Sequence, residues 1–211
     1  RMFTLKKAAS YKNFMLRVHD VSAVLDRLEK LNLKSDSTLS GKLNLSRVGM
    51  SGHSFGALTT QAVSGEKIHL SVNLTERRIK AAMPLSPGSR KMISPDEAFG
   101  EVSIPWLLMT GTHDLASIGG QTIDSRLAVF PALPQGNHYE LVLNKAEHSA
   151  FNDKAFSKDK LPRNPNHHRV ILGLSTAFWD AYLRNDTEAR SWLNGDSPMN
   201  ILEKQDRLQK K

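Results

Sequence analysis

The fold of this chain is decided by Val48-Gly49-Met50-Ser51-Gly52-His53-Ser54-Phe55-Gly56, a short apolar run followed by a serine between two glycines. A G-x-S-x-G pattern between a strand and a helix is typical of a nucleophile elbow, a sharp turn that exposes the serine hydroxyl. We expect glycine at positions 52 and 56 because a Cβ at either place would collide with neighbouring backbone. Ser54 is therefore the candidate nucleophile, and Gly52 and Gly56 are the elbow glycines.

The segment after the serine has the pattern of a packed helix over residues 55–64, ended by Gly65. The first N–H groups of a helix have no intrahelical partner, and the helix dipole is positive at this end. We therefore expect the N–H of Phe55 to stabilise negative charge that develops beside Ser54, as one donor of an oxyanion hole.

A nucleophilic serine needs a base, and the base needs an acid that orients it. Asp114 lies in the loop after an apolar strand predicted at residues 104–110, and His148 follows an alternating strand predicted at residues 139–143. The order Ser54, Asp114, His148 is that of α/β-hydrolases and differs from the other common orders in serine hydrolases. Asp114 is the candidate acid and His148 the candidate base.

Two other loop aspartates compete with Asp114. Asp124 lies ten residues beyond the predicted strand end and stays open as a second choice for the acid. Asp96 belongs to Ser94-Pro95-Asp96-Glu97, a pattern typical of a helix start, where an acidic side chain complements the helix dipole.

The other histidines carry weaker signals. We expect His53 to pack beside the elbow strand, and His167 and His168 to cap or solvate the start of the last long helix. His113 is either a residue that faces the substrate or an ordinary loop histidine. There is no cysteine and no H-E-x-x-H spacing, so we predict no metal site, and we predict no cofactor.

Strands that alternate with helices predict an α/β fold with a mostly parallel sheet. Residues 1–185 are assigned to one α/β-hydrolase domain, and residues 186–211 to a polar tail in which Trp192 and Leu193 pack back while residues 204–211 are solvated. The predicted strands are 45–50, 79–85, 104–110 and 139–143, and the predicted helices are 13–32, 55–64, one or two turns within 118–130, and 168–183.

Composition excludes some classes of protein. The chain of 211 residues is 39% hydrophobic and 24% charged, and no run of eighteen apolar residues predicts a membrane span. A net charge of +8 raises the possibility of nucleic-acid binding, but no helix-turn-helix, RRM, zinc pattern or phosphate-binding loop accompanies it. We predict no nucleic-acid partner, and the cellular compartment and oligomeric state stay open.

Four blocks of the sequence resemble the α/β-hydrolases labelled predicted dienelactone hydrolases, which are similar to platelet-activating-factor acetylhydrolases, chlorophyllases and cutinase-like polyester hydrolases. The resemblance spans nearly the whole chain. It implies Ser54 as nucleophile, Asp114 as acid, His148 as base and the Phe55 N–H as oxyanion donor. It also implies a small-molecule, lipid or polymer ester as substrate. The four blocks are residues 47–57, 78–87, 104–114 and 147–151.

Two departures from that family matter. True dienelactone hydrolases use a cysteine nucleophile, which this chain lacks, so the lactone substrate is not carried over. In the family's fold, four strands precede the elbow strand, and the loop after the third supplies a second oxyanion N–H, usually from a His-Gly motif. Residues 1–53 contain no such motif and read as one amphipathic helix and a polar loop, and the chain begins with Arg1 rather than methionine. We therefore expect an N-terminally truncated hydrolase that holds the C-terminal half of the sheet, with the elbow strand at an edge.

The sequence thus predicts a serine hydrolase that cleaves carboxylic esters through an acyl-enzyme intermediate. A fold does not guarantee an activity. The alternative is a non-catalytic binding protein with the α/β-hydrolase fold, or an inactive fragment.

Overall fold

A five-stranded sheet forms the centre of the protein in the computed structural model, which describes residues 7–69, 72–116 and 118–211. Residues 1–6, part of the predicted domain, lie outside the described residues. The strand order is β1-β2-β3-β4-β5; the first four strands are parallel, and the last is antiparallel to β4. The predicted α/β fold is confirmed. The strands are β1 Val48–His53, β2 Ile79–Leu85, β3 Trp106–His113, β4 His138–Glu147 and β5 Arg207–Lys210.

The helices begin at capping residues that the sequence supplies. The Ser10 hydroxyl accepts a hydrogen bond from the N–H of Asn13 at the start of α1, and Asn164 caps α6, whose first residue is Pro165. The helices are α1 Tyr11–Leu33, α2 Phe55–Val63, α3 Pro95–Phe99, α4 Ile123–Leu127, α5 Val129–Ala132, α6 Pro165–Leu183 and α7 Thr187–Asn194, with 3₁₀ turns at His148–Phe151 and Ser197–Ile201.

The sheet is covered by helices on both faces. Side chains alternate along β3, so that Leu107 and Met109 pack with α6 while Trp106 and Leu108 pack on the opposite face with α3 and α5. The residues of α6 that pack in the same cluster as Leu107 and Met109 lie three or four apart and form one buried stripe. These residues are Val170, Leu174, Phe178 and Ala181. A separate apolar cluster around Phe14 and Val63 joins α1 to α2 and to the start of β2.

Several strand bounds differ from the prediction. Strand β1 is displaced toward the elbow and ends at His53, and β3 and β4 run to His113 and Glu147. The strand predicted at residues 104–110 stops before Gly111, but β3 continues through it, and a Cβ at this position would lie 2.1 Å from the carbonyl oxygen of Ala146. Glycine at this position therefore permits a close approach of β3 to β4 and does not end the strand.

The expectation that residues 204–211 are solvated is wrong at Asp206, which is buried, and Arg207–Lys210 forms β5 at one edge of the sheet, where Arg207 and Lys210 are exposed. Arg207 forms an ion pair of 3.0 Å with the buried Glu140, and the Lys211 ammonium donates to the carbonyl oxygen of Pro131 at 2.8 Å. Polar side chains suit an edge strand because half of their surface faces solvent. Leu193 of α7 is buried, as expected.

The opposite edge of the sheet formed by the described residues is β1, and every residue in it is half-buried or exposed. This edge position was expected for the elbow strand. In the parts of the chain that the structure describes, no helix combines the length and the apolar character needed to cross a membrane.

Candidate active site

Ser54 forms the turn between β1 and α2 by itself. Its backbone has φ 60° and ψ −115°, a region that residues other than glycine rarely adopt. Its N–H donates to the carbonyl oxygen of Leu85 at 3.0 Å, which fixes the turn to the end of β2. Ser54 stands at the N-cap position of α2, but its hydroxyl caps no helix N–H. The hydroxyl is therefore free to point away from the helix.

The two elbow glycines are not equivalent. A Cβ on Gly52 would lie 2.4 Å from the carbonyl oxygen of Gly56 and 2.8 Å from the Thr60 hydroxyl, so a side chain is sterically excluded there. A Cβ on Gly56 would have a single neighbour within 4 Å, the Arg17 Nη2 atom at 3.9 Å. The predicted collision at position 56 is wrong, because the close approach at the elbow involves the Gly56 carbonyl group and not its Cα.

Hydrogen bonds join Ser54, His148 and Asp114 in one line. The His148 Nε2 lies 2.8 Å from the Ser54 Oγ, and its Nδ1 lies 2.6 Å from the Asp114 Oδ1. A carboxylate can only accept, so the Nδ1–H donates to Asp114 and, in the neutral ring, Nε2 accepts the Ser54 proton. Asp114 and His148 directly follow β3 and β4, and because β1 to β4 are parallel, both strand ends lie at the same edge of the sheet as the turn after β1.

The Asp114 carboxylate is fully buried and has three partners. Besides His148, the Thr110 hydroxyl donates to its Oδ2 at 2.9 Å, and the Arg126 Nη2 lies 3.2 Å from its Oδ1. Burial raises the pKa of Asp114, but the hydrogen bond from His148 and the charge of Arg126 outweigh burial and hold the pKa below its ordinary value. The group is therefore ionised at neutral pH.

Arg126 lies next to Asp114 and connects α4 to the loops that follow β2 and β3. Its guanidinium donates to the carbonyl oxygens of Asp114 at 2.6 Å, Ser86 at 2.6 Å and Pro87 at 2.8 Å, and its side chain is 1% exposed. Sequence reasoning missed Arg126 and Thr110. Neither belongs to a motif, and nothing in the local pattern signals that an arginine in a five-residue helix is buried.

The competing aspartates lie elsewhere. Asp124 is exposed in the first turn of α4 and forms no hydrogen bond with His148, so the structure brings Asp114 to the histidine and not Asp124. Asp96 lies in the first turn of α3, where Ser94 and Glu97 form a capping box.

His53 packs directly against the ring of His148, with ring centroids 4.5 Å apart. Burial, with a smaller contribution from the neighbouring His148, lowers the pKa of His53 to about 4, so this ring is neutral at pH 7. His113 is exposed at the end of β3, next to the Thr112 hydroxyl. His167 departs from the expectation: it is buried, and its Nε2–H donates to the carbonyl oxygen of Asn144 at 3.1 Å, which joins α6 to β4.

An open cleft of about 690 Å³ adjoins Ser54. Its apolar walls come from Phe14 of α1 and from Phe55 and Leu58 of α2. Arg17 and Arg90 also line it. In the described parts of the chain, no three His, Asp or Glu residues are grouped so that they could hold a metal ion.

A family model described as PET hydrolase-like matches residues 2–187. The chain belongs to the PET hydrolase-like family. This membership confirms the resemblance to cutinase-like polyester hydrolases, and the sheet with its flanking helices confirms the α/β-hydrolase fold. The family indicates that this PET hydrolase-like chain hydrolyses esters. The comparison with curated proteins found no match.

Proposed function

We propose that this chain is a serine hydrolase that cleaves carboxylic esters with Ser54 as nucleophile, His148 as base and Asp114 as the acid that orients the base. One observation carries the proposal: hydrogen bonds of 2.8 Å and 2.6 Å lead from the Ser54 hydroxyl through the His148 ring to Asp114. A nucleophile, a base and an orienting acid within hydrogen-bond distance are what acyl transfer through serine requires.

In the first half of the reaction, the His148 Nε2 accepts the Ser54 proton as the Oγ attacks the ester carbonyl carbon. The carbonyl oxygen becomes an oxyanion, to which the N–H of Phe55, the first residue of α2, donates a hydrogen bond. When the tetrahedral intermediate collapses, the bond to the alcohol oxygen breaks and the proton on Nε2 passes to the leaving alcohol. The acyl group stays on Ser54.

In the second half, water repeats the attack. It gives one proton to the His148 Nε2, its oxygen bonds to the acyl carbon, and the bond to the Ser54 Oγ breaks as the same proton returns to Ser54. The product is a carboxylic acid. Asp114 stays ionised throughout; it fixes the ring tautomer and stabilises the positive charge that His148 gains in both halves.

Small carboxylic esters and polymer esters are the proposed substrates. The family description names PET, an aromatic polyester. The apolar walls around Phe14, Phe55 and Leu58 suit an aromatic or aliphatic group next to the scissile bond.

The test is intact-mass labelling of the chain with a fluorophosphonate, followed by peptide mapping of the adduct. We expect one adduct per chain, on Ser54, and none in the Ser54→Ala variant. Ser51→Ala is the matched control, because Ser51 lies three residues away on the exposed side of β1, and it should label like the parent protein. Folded protein that takes up no label would contradict the proposal and favour a non-catalytic binding protein. Labelling that survives in Ser54→Ala would place the nucleophile elsewhere.

A further inference from the structure

Two arginines from different parts of the chain line the cleft beside Ser54. Arg17 comes from α1 and Arg90 from the loop after β2. Arg126 also reaches the cleft, but its guanidinium is bound to backbone carbonyl groups and Asp114. No aspartate or glutamate is among the described residues that line the cleft. The wall is therefore positively charged without a lining carboxylate to balance it.

Arg90 is held in place from three directions. Its guanidinium lies 4.6 Å from the ring centre of Phe14, and its Nε donates to the Glu66 carboxylate at 2.9 Å. The loop that carries it is fixed because the buried amide of Gln61 forms two hydrogen bonds of 3.0 Å with the backbone of Gly88. A fixed guanidinium loses little conformational entropy when it binds an anion.

One donor of Arg90 has no partner in the part of the chain that the structure describes. Its Nη2 is buried and forms no hydrogen bond. Glu66 neutralises Arg90 only in part, because burial raises the pKa of Glu66 to about 7 even beside the arginine. A buried donor without a partner costs free energy. The Arg90 side chain as a whole is 23% exposed, and it is through this exposed part that Arg90 lines the cleft.

Arg17 brings a second cation to the elbow. Its guanidinium lies 5.5 Å from the ring centre of Phe55, and its Nη2 would lie 3.9 Å from a Cβ on Gly56. Arg17 forms no ion pair with any described residue. Its charge is therefore available next to the position where we place the reacting ester.

We propose that the cleft selects esters that carry a free carboxylate, such as half-esters of dicarboxylic acids. This proposal rests on the function proposed above. The carboxylate binds the guanidinium groups of Arg90 and Arg17, and the carbon chain between carboxylate and ester packs on Phe14, Phe55 and Leu58. The net charge of +8 adds a long-range attraction for such anions.

The turnover test compares mono-(4-nitrophenyl) glutarate, which is an anion, with the neutral 4-nitrophenyl hexanoate. The measured quantity is the ratio of kcat/KM for the anion to kcat/KM for the neutral ester. We expect this ratio to fall about tenfold in Arg17→Gln and in Arg90→Gln, which corresponds to about 1.4 kcal/mol. It should also fall in the parent protein at 0.5 M salt because of screening. Arg27→Gln is the matched control: Arg27 is an exposed arginine of α1 outside the cleft, and its loss lowers the net charge equally.

Arg90→Gln leaves Glu66 buried without its cation, so the double variant Arg90→Gln/Glu66→Gln removes both charges of the pair if the single variant unfolds. A ratio that is unchanged in all these variants, or that falls equally in Arg27→Gln, overturns the proposal.

Binding by calorimetry separates this proposal from the proposed function. The probes are 4-phenylbutanoate and the neutral 4-phenylbutanamide, and binding of either requires no turnover. We expect the carboxylate to bind more tightly than the amide, by about tenfold for each of the two arginines, and this preference to fall about tenfold in Arg90→Gln/Glu66→Gln. If neither nitrophenyl ester is hydrolysed while the carboxylate preference holds, the catalytic proposal fails and the anion site stands. If the neutral ester is hydrolysed and the two probes bind equally, the anion site fails and the catalytic proposal stands.

Discussion

Gly52 and Gly56 occupy symmetrical places in the elbow motif, but the structure predicts opposite effects when each is changed to alanine. At position 52 the new Cβ would lie 2.4 Å from a backbone oxygen, about 1 Å inside ordinary contact distance, and a backbone atom cannot rotate away. Overpacking of this kind costs about 1–3 kcal/mol, and a backbone neighbour puts Gly52→Ala near the upper end of that range. At position 56 the Cβ has a single contact at 3.9 Å, and alanine is a better helix former than glycine by up to about 1 kcal/mol.

The assay is urea unfolding of both variants and the parent protein, with labelling of Ser54 by fluorophosphonate as a second readout. We expect Gly52→Ala to lower the free energy of unfolding by about 3 kcal/mol, which lowers Tm by roughly 6–12 °C for a chain of this size, and to slow the labelling. Gly56→Ala should unfold at an equal or higher urea concentration than the parent. The reasoning is refuted if Gly52→Ala is as stable as the parent protein, or if Gly56→Ala loses more than about 1 kcal/mol.

Three further changes test other parts of the site. Arg126→Met removes the cation beside the buried Asp114 and should cost about 3–5 kcal/mol in urea unfolding, whereas the exposed Arg169→Met should cost less than about 0.5 kcal/mol; equal effects would contradict the role given to Arg126. Asp114→Asn should lower kcat on a nitrophenyl ester by roughly 10³–10⁴ with little change in KM, and an undiminished rate would remove Asp114 from the mechanism. Burial raises the pKa of Glu66 from 4.5 to about 7, so its contribution to stability is complete below about pH 4.5 and is lost as the pH rises through about 7. Glu66→Gln should therefore gain roughly 3 kcal/mol relative to the parent protein between pH 4.5 and pH 8 in unfolding experiments, and a pH-independent difference would show that the raised pKa is wrong.

Local patterns predicted those elements that depend on local interactions. Strand β2 was predicted with its observed bounds because it is a continuous apolar run, and α2 was predicted to within one residue because the elbow motif and Gly65 mark its ends. The pattern failed for β5 and for the ends of β3 and β4. Arg207–Lys210 is a strand only because β4 offers an open edge, and no property of the four residues alone indicates this.

The residues of the site also differ in whether local sequence patterns could reveal them. Ser54, Asp114 and His148 were found from a motif, strand ends and chain order, which are visible in one dimension. Arg126 and Thr110 were missed because their importance comes from the position of Asp114 in space. Thr110 lies on β3, four residues before Asp114, and its hydroxyl reaches the carboxylate because the chain turns back after the strand ends at His113.

Asp114 and Asp124 differ in the partners that surround their carboxylates, and this difference explains why the acid lies at a strand end. An acid that orients a histidine must be buried to fix the ring and must also stay ionised, and burial alone opposes ionisation. Asp114 meets both conditions because a hydroxyl, an imidazole N–H and a guanidinium converge on it at the end of a central strand. Asp124 is exposed in the first turn of α4, where it contacts no histidine among the described residues. The end of a buried strand is thus the place where several elements can supply the partners that a buried carboxylate needs, and Arg126, from the same short helix as Asp124, is one of those partners.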